Sequence, residues 1–356
     1  MGFPRKIGVL TFHRSINYGS YWQARCLVEG LRARGHDARL LDHDCERVRR
    51  SEFGCALQPE LPRRTPRALL KAYAAKARKF AQAVASLPLS RRFSLDEPRG
   101  AGEYDLIVVG SDEVWNFRHP WYGSEPIFFG DGLNAERLVS YAASFGNHSA
   151  WHGIECDWAR KLERFSRISV RDENSWQLVK SGTGREPALV LDPCLQFDGL
   201  PEAEEAASSS RYAVVYGHGF PAWLRQRVRR WADGKGLALV SLGYRNDWTD
   251  DQRLSAGPIE FASAMSGASA VVTNFFHGCV FALLNRKPWV SSPSDYRAIK
   301  IPDLAATIGA QHRLIGEKTP EAVVHELLEM PVNADVSGRI EELRSKSNAY
   351  IDEALS

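Results

Sequence analysis

The chain has no Cys-x-x-Cys pair, no apolar run long enough to cross a bilayer and almost no net charge. Its six cysteines, at 26, 45, 55, 156, 194 and 279, stand singly. That excludes a zinc knuckle and a disulfide framework and points to a reduced, cytoplasmic setting. A membrane helix needs roughly 18 consecutive apolar residues, so any membrane contact is expected to be peripheral, at the inner face. A net charge of +3 with 25% charged residues argues against a general nucleic-acid binder. Met1-Gly2-Phe3-Pro4-Arg5-Lys6 runs directly into a strand pattern, so no signal peptide is expected. The turn after that strand lacks Gly-x-Gly-x-x-Gly spacing, so it is not a dinucleotide fingerprint.

What is present is alternation. The 356 residues, 44% of them apolar, suffice for two domains with separate cores. Apolar runs at Ile7–Phe12, Tyr104–Gly110 and Leu138–Ala143 read as buried parallel strands, and Tyr18–Arg34 as a helix. A small, polar, acidic stretch at 198–210 reads as a linker. The alternation then restarts with strands Tyr212–Tyr216, Leu237–Leu242 and Ala270–Thr273. The predicted division is an N-terminal domain at 1–196, a C-terminal domain at 197–335 and a terminal helix at 336–356.

Residues 47–99 interrupt the pattern as a basic helical insertion, with thirteen Arg or Lys against Glu52, Glu60, Asp96 and Glu97. Leu69, Leu70, Tyr73, Ala77, Phe80 and Val84 share one helical face. That face reads as covering a core, with an anionic membrane surface as the other reading.

The polar residues with chemical interest fall where strands end. Asn17-Tyr18-Gly19 opens the first helix, suited to holding an anion or sugar hydroxyls, or simply to capping. Gly110-Ser111-Asp112 leads to Trp115 and Asn116, a set suited to a sugar: an indole face plus amide and carboxylate. Its plain alternative is a helix cap with Trp115 in the core. Arg171 ends another strand, where it can grip a phosphate or carboxylate or pair with a neighbouring acid. Asn274-Phe275-Phe276-His277-Gly278 joins a strand to a helix N-terminus. There the dipole favours an anion and histidine titrates near neutrality; a backbone-satisfied histidine is the alternative. His148, His152 and Cys156 have ligand-like spacing, but Gly153 interrupts them and packing aromatics flank them, so no metal is expected.

Together, in order and spacing, several stretches resemble the polysaccharide pyruvyl transferase family: Asn17-Tyr18-Gly19-Ser20-Tyr21-Trp22-Gln23-Ala24, Gly110 to Asn116, Ser140 to Gly146, Arg171 to Ser175, Asp192-Pro193 and Phe276-His277-Gly278-Cys279-Val280-Phe281. The resemblance implies an α/β fold of two Rossmann-like domains facing a cleft, GT-B-like, with parallel sheets and flanking helices. It implies transfer of a pyruvyl group from phosphoenolpyruvate to a sugar of a cell-surface glycan or lipid-linked precursor, forming a cyclic ketal, with no other cofactor. It ties Arg171 and His277 to catalysis and the donor. Asn274, Gly278, Arg297 and Lys300 are expected to hold the donor, and Asn17, Tyr18, Gly19, Ser111, Asp112, Trp115 and Asn116 the acceptor. The chain departs from the pattern at Phe275-Phe276, where some members carry an arginine, and at Lys300, where many carry Ser-Arg.

A nucleotide-sugar glycosyltransferase would share the architecture, but such enzymes usually present an acid on the helix after this motif. Gly278 to Arg286 has none. A non-catalytic glycan binder is the third reading, and it has no use for a titratable histidine and an arginine.

Overall fold

A computed structural model describes residues 4–197, 211–294 and 298–356. The chain divides into two compact units. Met1–Glu52, Val84–Gly199 and Ile340–Ser356 form the first, and Phe53–Ala83 with Leu200–Arg339 form the second.

In the first unit, β1 (Lys6–Leu10) leads into α1 (Tyr18–Ala33), β2 (Asp37–Leu40) and β3 (His43–Asp44). Helix α2 (Glu46–Leu57) follows, then, after α3 (Arg67–Ala85) of the second unit, β4 (Phe93–Ser94), β5 (Glu103–Val109) and β6 (Asn134–Ser140). After α4 (Cys156–Glu163) come β7 (Ser169–Val170), α5 (Glu173–Thr183), β8 (Ala188–Leu189) and α6 (Pro193–Gln196). Among the described residues the main sheet runs β2-β1-β5-β6, all parallel. Ile7, Val9, Leu106, Ile107 and Val109 are sealed from solvent, as strands covered on both faces require.

In the second unit, β9 (Tyr212–Tyr216), α7 (Ala222–Lys235), β10 (Ala238–Leu242) and β11 (Asp251–Arg253) precede α8 (Pro258–Gly267), β12 (Val271–Thr273), α9 (Phe276–Leu284) and β13 (Trp289–Ser291). Helices α10 (Lys300–Ile308), α11 (Glu321–Glu329) and the start of α12 (Ala334–Leu355) complete it. Its parallel sheet has the order β11-β10-β9-β12-β13, which is the doubly wound 3-2-1-4-5 arrangement. In such a sheet the strand order reverses between β9 and β12, and ligands bind beyond the strand ends at that reversal. In the first unit the corresponding reversal lies between β1 and β5.

The unit boundaries differ from those expected. The amphipathic helix α3 groups with the second unit, not with the N-terminal domain, and it buries Tyr73, Ala77, Phe80 and Val84. From Ile340 onward α12 belongs to the first unit. There Ser347 Oγ accepts the Leu191 N–H at 2.9 Å and Tyr350 donates to Ser140 O at 2.6 Å. Amphipathicity reports that a face is covered, not by which core. The stretch read as a linker lies outside the described residues.

Candidate functional site

In each unit, candidate residues stand on segments that leave the strands flanking the sheet reversal: Asn17 after β1 and Ser111 to Asn116 after β5 in the first, Asn274, His277 and Gly278 after β12 in the second. In the first, Thr11 Oγ1 donates to Ser111 O at 2.9 Å, tying the end of β1 to the loop after β5. Gly110 leaves β5 at φ 119, and a Cβ there would stand 2.3 Å from Tyr141 O, so glycine is required. Asp112 follows at φ 77, a left-handed conformation that aspartate tolerates better than most residues. Its carboxylate accepts from Ser20 Oγ at 2.6 Å and from Glu113 N at 2.8 Å.

Arg171, just past β7, reaches into the same cluster. Its Nη1 donates to Gln23 Oε1 at 2.9 Å and to Asp192 Oδ2 at 2.8 Å, and its Nη2 stands 3.6 Å from Asp112 Oδ1. Burial works against the guanidinium charge, but Asp192 and Asp112 outweigh it and raise its pKa. Asp192 uses its other oxygen to cap α6 through Cys194 N at 3.0 Å, and Ser111 Oγ donates to Gln23 Oε1 at 2.7 Å. The alternative expected for Arg171 is a surface ion pair with Asp172 or Glu173; the pair observed is buried and its partner is Asp192. Asp172 instead caps α5 through Ser175 N at 2.7 Å.

Three expected acceptor residues are spent locally. Trp115 is 1% exposed, donates Nε1–H to Phe128 O at 2.8 Å and packs among Phe129, Phe145 and Phe165. This corrects its reading as a sugar platform: an indole in the core offers no face to a ligand. Asn116, also 1% exposed, serves the same loop, donating to Glu113 Oε2 and accepting Arg118 N–H. Asn17 caps α1, its Oδ1 accepting from Gly19 N at 2.8 Å and Ser20 N at 3.3 Å. Tyr18 and Gly19 are buried in the first turn of α1, while Asn17 is exposed.

Sequence reasoning passed over Glu52 on α2. It accepts Ser15 Oγ–H at 2.7 Å, Ile16 N–H at 3.1 Å and the Trp121 indole N–H at 3.0 Å. Burial pushes its pKa up, against those hydrogen bonds. It holds the turn that precedes Asn17. Gln23 and Asp192 stood inside the recognised motifs without an assigned role.

In the second unit, Asn274 Nδ2 donates to His218 O at 2.7 Å, joining the loops after β9 and β12 across the reversal. The Asn274 Oδ1 is buried and accepts nothing among the described residues. His277 is the second residue of α9, partly buried and edge-on to Phe276 at 5.1 Å. A Cβ on Gly278 would stand 2.0 Å from Thr273 Oγ1, so glycine sets how closely α9 follows β12. Lys300 opens α10 and is 7% exposed. Arg297 lies outside the described residues. Of the metal-like set, His148 bonds Gly153 O through Nε2 at 2.8 Å.

The fold is like that of the UDP-GlcNAc 2-epimerase from Methanocaldococcus jannaschii, with a TM-score of 0.55 at 10% identity over 98% of this chain and 99% of that one. It is also like S. aureus MnaA solved with UDP, with a TM-score of 0.51 at 12% identity over 96% and 91%. At such identities the likeness concerns the fold alone, the α/β, GT-B-like class of parallel sheets with flanking helices. A comparison with curated proteins found no match. The profile of the polysaccharide pyruvyl transferases matches residues 17–296, which include the Asn17, Asp112, Arg171 and His277 motifs, and the chain belongs to that family.

Proposed function

We propose that the protein transfers a pyruvyl group from phosphoenolpyruvate to two hydroxyls of one sugar in a glycan or its lipid-linked precursor, forming a cyclic ketal. The observation that carries this reading is His277 in the first turn of α9, beside the β9/β12 reversal, on a helix without an acidic residue through Arg286. The helix dipole favours an anion there.

Ketal formation begins with protonation of the methylene carbon of the enolpyruvate. Positive charge develops on the adjacent carbon and one sugar hydroxyl adds. The C–O bond to phosphate breaks, and the second hydroxyl closes the ring as its proton passes to the departing phosphate. His277 supplies the proton and takes back one from the first hydroxyl, as a general acid and base. Lys300 and the N-terminus of α9 supply positive potential for the donor, with Asn274 and Gly278 shaping the turn and Arg297 as a further cation. In the first unit, Arg171 holds Gln23, Asp112 and Asp192 in place, so it positions the acceptor loop with Ser111 and the Asn17-Tyr18-Gly19 turn. No other cofactor enters the scheme.

No helix among the described residues is long and apolar enough to cross a membrane. We place the reaction in the cytoplasm, with any contact at the inner membrane face peripheral. Mass spectrometry of the glycan after incubation with the protein and phosphoenolpyruvate tests the reaction. A gain of one pyruvyl ketal with release of phosphate supports it. Transfer of a hexose from a nucleotide sugar would replace it with the glycosyltransferase reading.

A further inference from the structure

A cavity of about 520 Å³ opens within the second unit, beyond the ends of β9 and β10. Its walls come from the loops after those strands, from Arg225 on α7, and from Glu60 and Arg63 in the segment that leads to α3. The volume falls in the range of small-ligand sites. The basic insertion thus contributes wall residues to a pocket, a role its charge pattern alone does not reveal.

Hydrogen bonds hold one wall of the pocket. Asn246 is 5% exposed, and its Nδ2 donates to Gly217 O at 2.9 Å and Ser241 Oγ at 2.8 Å. Its Oδ1 accepts the Trp248 indole N–H at 3.2 Å. Trp248 meets Phe220 edge-on at 6.0 Å and stays half-buried at the wall. Trp248, packed against the unit's core, and Phe220 are aromatic groups of the lining.

The charged groups alternate. Asp247 takes Arg63 Nη2 at 3.0 Å on one oxygen and Arg245 Nε at 2.6 Å on the other. A carboxylate has about four lone-pair sites, so Asp247 keeps acceptor capacity beside two guanidinium edges. Such neighbouring donors and acceptors match adjacent ring hydroxyls. A polyphosphate would have to compete with Asp247 for both arginines. Arg225 differs from them. It is exposed and pairs with no acidic side chain among the described residues. The pocket therefore carries three arginines against Glu60 and Asp247, with the surplus charge at Arg225.

We propose that this cavity is a carbohydrate subsite that takes a pyranose bearing one carboxylate, with the ring against Trp248, its hydroxyls on Asp247 and the arginine edges, and the carboxylate at Arg225. A uronic acid and a sugar carrying a pyruvyl ketal share that chemistry. The inference rests on the reading of the chain as one that acts on a glycan.

The test uses the full chain labelled with 5-fluorotryptophan, without phosphoenolpyruvate, so that its failure is separate from failure of the pyruvyl-transfer reaction. The probes are glucuronic acid, the methyl glycoside of 4,6-pyruvylated galactose, glucose and UDP. The fluorine signal absent from Trp248→Phe should shift with either carboxylated sugar, and the tighter of the two identifies the source. Arg225→Met should weaken that binding about tenfold or more and leave glucose unaffected, with the melting temperature unchanged. Glucose binding as tightly as glucuronic acid, UDP alone moving the signal, or no probe moving it would each overturn the proposal.

Discussion

Arg171 Nη1 and Asp192 Oδ2 meet at 2.8 Å with only 3% and 1% of their side chains exposed. A pair this deep is costly to break from one side, because the survivor is left as an uncompensated buried charge. Arg171→Met should lose about 3–5 kcal/mol of unfolding free energy. The double variant Arg171→Met/Asp192→Leu should lose less than Arg171→Met, despite the lost cap on α6. Urea denaturation of these two variants and of Asp192→Leu measures the difference, and a double-variant loss equal to the sum of the two single losses would show that the pair is not coupled.

His277 is the reaction's expected proton donor. His277→Asn should reduce pyruvyl transfer about a hundredfold or more, while circular dichroism and melting temperature stay as in the parent. Turnover within a fewfold of the parent would remove His277 from the mechanism.

Much of this was legible in the sequence because parallel strands covered on both faces write themselves as unbroken apolar runs. Tyr212–Tyr216 is strand β9 as read, and the predicted helix from Tyr18 ends one residue early, at Ala33. The short strands β3, β4 and β11, two or three residues each, carry too little pattern to be seen. Trp115 shows a different limit. An aromatic just beyond a strand end has the same sequence whether its ring faces a ligand or fills the core, and here Phe128 O holds its N–H inward. The pocket of Glu60, Arg63, Arg225 and Asp247 was invisible for another reason: its parts are ordinary charged residues far apart in the chain.

Gly278 sets the approach of α9 to β12. Thr273 Oγ1, the atom a Cβ at 278 would strike, also donates to Tyr216 O at 2.7 Å and cannot turn away without losing that bond. Gly278→Ala should cost about 1–3 kcal/mol and reduce turnover by displacing His277. Chemical denaturation and the pyruvyl-transfer assay together check this. Unchanged stability would mean that the turn yields.

His43 makes stability depend on pH. It is sealed from solvent and donates Nε2–H to Thr11 O at 2.9 Å; burial, then the neighbouring His13, pulls its pKa from 6.5 to about 3. Between those values the unfolded chain binds a proton that the folded chain does not, so stability rises with pH through that window and is complete above it. Asp42 acts in the same direction at lower pH. Its pKa is held at about 2, against the opposing effect of burial, by hydrogen bonds and charge from His13 and Arg14, so its contribution fades as pH falls from about 4 toward 2. From pH 7 to pH 4 the parent should lose about 3 kcal/mol through His43, and His43→Asn should lose far less. Urea titrations at the two pH values decide it.

Lys76 reverses the usual expectation for a buried ion. It lies on α3 at 3% exposure, with Nζ donating to Gly243 O at 3.1 Å and standing 4.6 Å from the centre of the Tyr244 ring. Burial draws its pKa from 10.5 down to about 7. Below that value the folded state carries a desolvated ammonium and the full cost of it. Above it the folded state is neutral while the unfolded chain still binds the proton, so stability recovers as pH climbs toward 10.5. Lys76→Met removes the titration and keeps most of the packing volume. The variant should be as stable as the parent or more so at pH 6. The parent should then gain on it by about 3 kcal/mol by pH 9.5. Parallel denaturation curves at the two pH values measure this gain, and a stability difference that stays constant would mean that Lys76 remains charged throughout, held by Gly243 O and the Tyr244 ring.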